Sequence, residues 1–193
     1  LLIPMARPLS EQKRDAILDA TAKLVAAQGI GASTAQIARA AKVAEGTVFT
    51  YFETKDALLN ALFVRLETRL AMVLGADFPD QADARGLVLH AWNALIAWGS
   101  TYPIDRMALR QLKVSERISA HTRSECAGLF GSMLQALETS LASHIDPERL
   151  PFYLSRVLIN LLETTLEAMA ADPENAATLQ QAGFDLFWKG IQR

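Results

Sequence analysis

One cysteine, Cys126, in 193 residues rules out an intramolecular disulfide framework and suits a reducing compartment. A lone thiol of this kind reads as a small buried hydrophobe. The three histidines, His90, His121 and His144, sit too far apart in sequence to give metal-ligand spacing. There is no H-E-x-x-H run, no glycine-rich phosphate loop and no nucleophile motif, so the expectation is a protein that is not an enzyme and needs neither metal nor cofactor. No apolar run reaches the roughly 18 residues that a bilayer span needs, and mean hydropathy is only +0.15. Leu1-Leu2-Ile3-Pro4 is too short for a signal-peptide core and has no basic stretch before it, with Met5 a candidate start. A cytoplasmic protein with no membrane partner is expected. Excess charge is lacking too. The net charge is −2, and the first sixty residues hold seven basic side chains against six acidic ones. That asymmetry has the right sign for a nucleic-acid reader but is too small to carry the case, which must rest on pattern.

Apolar residues make up 51% of the chain, enough for a packed core, and every periodic segment repeats at helical spacing. Strand-like alternation is missing. The expected fold is all-α, with about nine helices. The first runs from about Ser10 to Gln28, carries Ile17, Ala20, Leu24 and Ala27 on one stripe, and stops at Gly29, a residue suited to a positive φ. Ser33-Thr34-Ala35-Gln36 fits a capping box and opens a second helix to about Ala41. Ala41-Lys42-Val43 is a short turn into a third helix, about Ala44 to Phe52. Thr54 can cap a fourth, with Leu58, Leu62, Leu66 and Leu70 at helical spacing. Proline punctuates the rest: helices are expected near 84–101, 103–117, 120–144, 151–171 and 173–192, with Asp146-Pro147 and Asp172-Pro173 as starts.

Residues 33–52 carry the functional signal. Two short helices joined by a three-residue turn need small side chains where they cross, and Ala35, Ala38, Ala40 and Ala41 supply them. Ile37 and Val43 can plug the angle between the helices. This is how a helix-turn-helix holds its second helix outward for a major groove. On the third helix Val48 and Phe52, four apart, can point inward, leaving Thr47, Phe49, Thr50 and Tyr51 on other bearings. Gly46 costs such a short helix roughly 0.8–1 kcal/mol relative to alanine, a cost better tolerated if DNA must approach its backbone.

The run Glu45-Gly46-Thr47-Val48-Phe49-Thr50-Tyr51-Phe52-Glu53-Thr54-Lys55-Asp56-Ala57-Leu58 resembles the helix-three and helix-four signature of the TetR family of repressors. Ala16-Ile17-Leu18-Asp19-Ala20, Gly29, Thr34 and Ile37-Ala38 also fall where that pattern expects them, so the resemblance covers about residues 13–60. It implies a three-helix DNA-binding domain over 1–53 and a larger helical ligand-binding and dimerisation domain over 54–193. It further implies a ligand-responsive regulator, expected to be a repressor, that binds a palindromic double-stranded operator as a homodimer. By the same resemblance Ser33 or Thr34, Thr47, Tyr51 and Lys55 would touch phosphates, while Glu45, Gly46 and Thr50 would face bases. Three residues depart from the family pattern. Lys42 replaces the usual turn glycine and can add positive charge near the groove. Ala44 replaces a serine cap. Phe49 replaces a tyrosine and cannot hydrogen-bond a phosphate. Each contact residue also has a plainer reading: Ser33 as a cap alone, Tyr51 packed on the first helix, Glu45 as a solvated charge. Arg7 could reach a neighbouring groove or belong to a loose tail.

The fifth helix is apolar nearly all round, as a helix central to its domain would be. Met72, Trp92, Trp98, Tyr102, Met107, Phe130 and Met133 suggest an adaptable pocket for a mainly apolar small-molecule effector, though any of them can equally be core filling. His90, Asn93, Arg110, Gln111, Asn160 and Glu163 are the polar residues that could orient such a ligand. Leu154, Leu158, Leu161 and Thr165 form one late stripe, and Leu179, Gly183, Leu186, Phe187 and Gly190 another. The resemblance implies a dimer contact there through Leu154, Leu158, Leu161, Leu186 and Phe187; the alternative is that both stripes pack inward on their own subunit. A second function stays open at this point, a helical ligand-binding or interaction protein that has lost effective DNA binding.

Overall fold

Capping chemistry sets where the first helices begin and end. The computed structural model describes residues 10–79, 82–146 and 148–192; Leu1 to Met5, Arg7 and Pro147 lie outside the described residues. Ser10 caps α1 (Glu11–Gln28), its hydroxyl accepting from Lys13 N, and Gly29 ends the helix at φ +73°. Ser33 opens α2 (Thr34–Ala40) with both arms of the expected capping box, Gln36 N to Ser33 Oγ at 3.2 Å and Ser33 N to Gln36 Oε1 at 2.8 Å. Next come α3 (Glu45–Tyr51) and α4 (Lys55–Gly75), where Thr54 Oγ1 accepts from Ala57 N. The chain continues through α5 (Ala84–Thr101), α6 (Pro103–Lys113), α7 (Ala120–Gly128) and α8 (Gly131–Leu141). A short α9 (Leu150–Phe152) passes through a π-helical stretch, Tyr153–Leu158, into α10 (Ile159–Ala171). A 3₁₀ turn at Pro173–Asn175 leads into α11 (Ala176–Ile191). Among the described residues all regular structure is helical, and no helix is long and apolar enough to cross a membrane.

One expected helix, 120–144, is two. Gly128 and Gly131 each weaken a helix by about 1 kcal/mol, and the chain tightens between them, Phe130 N donating to Ala127 O before α8 starts.

The helices fold as two units. The first takes residues up to Glu67 together with Ile104–Cys126. Ile17, Leu18, Ile37, Val48, Leu58 and Leu62 are almost wholly buried in it, as are Leu109, Leu112 and Ile118 from the α6–α7 segment. Arg65 of α4 binds α1, its Nη1 2.8 Å from Asp19 Oδ1, and the buried Glu67 carboxylate is met by Lys113 Nζ at 3.2 Å. Thus the unit that holds α1, α2 and α3 also holds 54–67 and 104–126, which the sequence placed after its domain boundary. Cys126 is buried here, and burial together with the nearby Glu67 and Glu125 raises its thiol pKa, the setting of an inert cysteine.

The second unit takes Thr68–Pro103 and residues from 127 onward. Its centre is α5, packed on α8, α10 and α11. Trp92 is fully buried, stacks at a tilt on Phe184 and donates from Nε1 to Gln180 O at 3.2 Å.

Candidate nucleic-acid interface

The turn between α2 and α3 fixes how the site is presented. Lys42 N donates to Arg39 O (3.1 Å) and Val43 N to Ala38 O (3.0 Å). This paired return is a Schellman ending, whose key residue must take a positive φ, and here that residue is Lys42 at φ +57°. Glycine would sit there without steric cost, whereas a side chain loses roughly 1–2 kcal/mol. Part of that gain is offset by glycine's greater freedom in the unfolded chain, roughly 0.5–1 kcal/mol. Lys42→Gly should therefore raise stability by about 0.5 kcal/mol or slightly more, seen as a melting temperature higher by roughly 2 °C. An unchanged or lower melting temperature would show that the turn carries no strain.

Beyond the turn, α3 has two faces. Val48 and Phe52 are buried, and Ile37 and Ala38 close the crossing with α2. Glu45, Gly46, Phe49 and Thr50 are exposed, while Thr47 and Tyr51 are half-buried. Ala44 gives α3 no side-chain cap. Instead Thr34 Oγ1 donates to Glu45 Oε1 at 2.6 Å, tying the first turn of α3 to the first turn of α2. The Glu45 carboxylate also sits at the end of the helix dipole that favours negative charge. Thr50 Oγ1 donates to Gly46 O at 3.0 Å. Tyr51 Oη accepts from Ser10 N at 2.8 Å, so it braces α1 and keeps its own proton to donate elsewhere. Lys55 is half-buried in the first turn of α4. Its pKa is lowered by partial desolvation and by Arg117, against the opposing pull of Asp56. Ser33, Thr34, Lys42, Glu45, Gly46, Thr47, Phe49, Thr50, Tyr51 and Lys55 all belong to the first unit, and none of them is buried. Sequence reasoning missed Arg117, which comes from a loop far along the chain and carries no periodic signal.

None of the seven residues expected to line a pocket lines the second-unit cavity described below. Trp92 is core, Trp98 is buried, and Met72 and Tyr102 are exposed at 70% and 51%. Phe130 and Met133 are half-buried, and Met107 belongs to the first unit. Of the polar candidates, His90 Nε2 lies 3.0 Å from Leu74 O, Asn93 Oδ1 accepts from Gln180 Nε2, and Asn160 Nδ2 donates to Arg156 O. A cavity of about 360 Å³ in the second unit is lined instead by Phe78, Ala82, Leu87, Ser132, Gln135, Ala136, Thr139 and Ser140. On the late helices Leu158 and Phe187 face inward, 6% and 2% exposed in their own subunit's core. Leu154 and Leu161 are half-buried, and Leu186 is 65% exposed.

Residues 17–62 match the model of the bacterial regulatory proteins of the tetR family. The HTH-type transcriptional repressor Rv3405c of Mycobacterium tuberculosis is 33% identical over 111 residues; the match spans 57% of this chain and only 59% of that relative. A TetR family transcription regulator from Shewanella sp. PV-4 shares the fold at a TM-score of 0.80 and 25% identity, over 94% of this chain and 98% of that one. LfrR of Mycobacterium smegmatis, solved with proflavine, does so at 0.67 and 20%, over 95% and 99%. The family match falls on the helices whose capping, turn and divided face have just been described, and over those residues the chain is similar to the tetR-family regulatory proteins.

Proposed function

We propose that the chain is a ligand-responsive transcriptional repressor that binds a palindromic operator as a homodimer. The observation that carries this reading is the exposed face of α3, held out by the Lys42 turn with Lys55 at its far end. In this reading residues 1–53 read DNA and residues 54–193 supply the effector site and dimer contact, with 104–126 attached to the reader. The repressor naming of a relative supports the sign of regulation. The second-unit cavity has the volume of a small-molecule site, and proflavine bound to LfrR, a protein of the same fold, supports a small-molecule effector. Leu186, Ile159 and Phe152, all exposed on the late helices, support a dimer face there.

The test is fluorescence anisotropy on duplexes from the DNA flanking the chain's own gene. Binding should fall steeply with salt, because phosphate contacts release counterions. Lys55→Ala should weaken all operator variants alike, whereas Thr50→Ala should change their ranking. Absence of sequence preference in the unmodified chain at low salt would overturn the reading, and a monomer by light scattering on the operator complex would overturn its dimeric part.

A further inference from the structure

The segment after α6 is built more firmly than a short connection requires. Arg123 of α7 reaches back to it, donating from Nη1 to Lys113 O (3.0 Å) and from Nη2 to Ser115 O (2.7 Å). The same guanidinium lies 5.9 Å from the centre of the Phe63 ring, and Ile118 is buried beneath the loop. Asn60 of α4 then grips the loop's main chain twice, Nδ2 donating to Arg117 O at 2.9 Å and Oδ1 accepting from Ser119 N at 3.0 Å. Held between these points, Arg117 brings Nη1 to 2.7 Å from Asp56 Oδ1, one residue from Lys55. Both partners of this ion pair are about half exposed, 50% and 54%, a setting in which such a pair adds little to stability.

Asp56 is a liability where it stands. A carboxylate next to a lysine meant for a phosphate repels that phosphate and cancels part of the lysine's attraction. Arg117 removes the liability, and a guanidinium with five N–H donors still has some to spare after one carboxylate contact. The charge of Arg117 already reaches Lys55, contributing to its lowered pKa.

We propose that Arg117 is a further DNA-contacting residue, neutralising Asp56 and offering its remaining N–H groups to a backbone phosphate beside Lys55. The proposal rests on the DNA-reading function above, and its partner is the phosphate backbone rather than any base. The test measures the full chain on an operator duplex and on a scrambled duplex of equal length, across a range of salt concentrations. Arg117→Gln should weaken both duplexes by the same factor, roughly eightfold per subunit at 0.1 M salt, and lower the salt slope by about 0.9 per subunit. Arg117→Lys, which keeps the charge, should recover most of both. Asp56→Asn, which leaves the Asn60 grip in place, should strengthen binding to both duplexes and keeps the proposal testable if Arg117→Gln folds poorly. Unchanged affinity and slope in Arg117→Gln would overturn the proposal. So would an affinity loss with no change in slope, since the loop would then be acting only as structure. If the unmodified chain binds neither duplex, the DNA-reading function itself fails and this proposal falls with it; binding by the unmodified chain with no effect of Arg117→Gln sinks the proposal alone.

Discussion

Gly183→Ala should destabilise the second unit by about 1–3 kcal/mol, the usual result of adding a methyl to a filled core. Gly183 is buried on α11 where it crosses α10 and α5. A Cβ there would stand 2.5 Å from Thr165 Oγ1 and 2.8 Å from Trp92 Cζ2. Neither neighbour has room to give. Trp92 is fully enclosed and tethered through Nε1 to Gln180 O, and Thr165 is buried with its hydroxyl bound to Leu161 O at 2.8 Å. Alanine improves helix propensity by about 0.8–1 kcal/mol, so the measured loss is already net of that gain and the clash itself is larger. Denaturant unfolding of the two forms checks the direction. Thr165→Ala in the same chain removes the nearer obstacle and should return part of the loss. A Gly183→Ala form as stable as the parent would mean that α10 and α11 spread apart at no cost, and the close crossing would have no energetic role.

What the sequence made legible is what is local. The Ser33–Gln36 capping box, the positive φ at Gly29 and the inward Val48 and Phe52 depend on residues a few positions apart, and each stands as expected. Partner choice is not local, and that is where expectation and structure part. The stripes holding Leu158 and Phe187 show that a face must be buried, but a stripe does not name what buries it, and their own subunit does. Trp92 beside several methionines suggested an adaptable pocket, yet an indole N–H that finds a main-chain carbonyl packs as ordinary core. The placement of 104–126 with α1, α2 and α3 turns on Asn60, Arg123 and the Glu67–Lys113 pair, single side chains with no period to betray them. The divided face of α3 was legible because its inward half is packing and its outward half is what packing leaves over.

Gly46→Ala should make the protein more stable and a poorer DNA binder at once. In the free chain a Cβ at position 46 meets nothing within 4 Å, so alanine costs no packing. It should add the roughly 0.8–1 kcal/mol by which alanine exceeds glycine inside a helix. Selection for stability alone would then favour alanine, and the exposed glycine calls for a reason outside the folded subunit. Close approach of DNA supplies one: with no side chain, the first turn of α3 can bring its main chain against the duplex, where amide N–H groups serve as phosphate or base-edge donors. A methyl group in that space holds the two surfaces apart and weakens neighbouring contacts together. Losing one good contact costs about 1–3 kcal/mol, so operator affinity should fall about tenfold or more, at 1.4 kcal/mol per tenfold. Thermal melting and operator anisotropy on the same preparation read the two effects separately. A parallel rise in stability and affinity would mean that Gly46 merely weakens the reading helix; a rise in stability with unchanged affinity would place position 46 outside the DNA contact altogether.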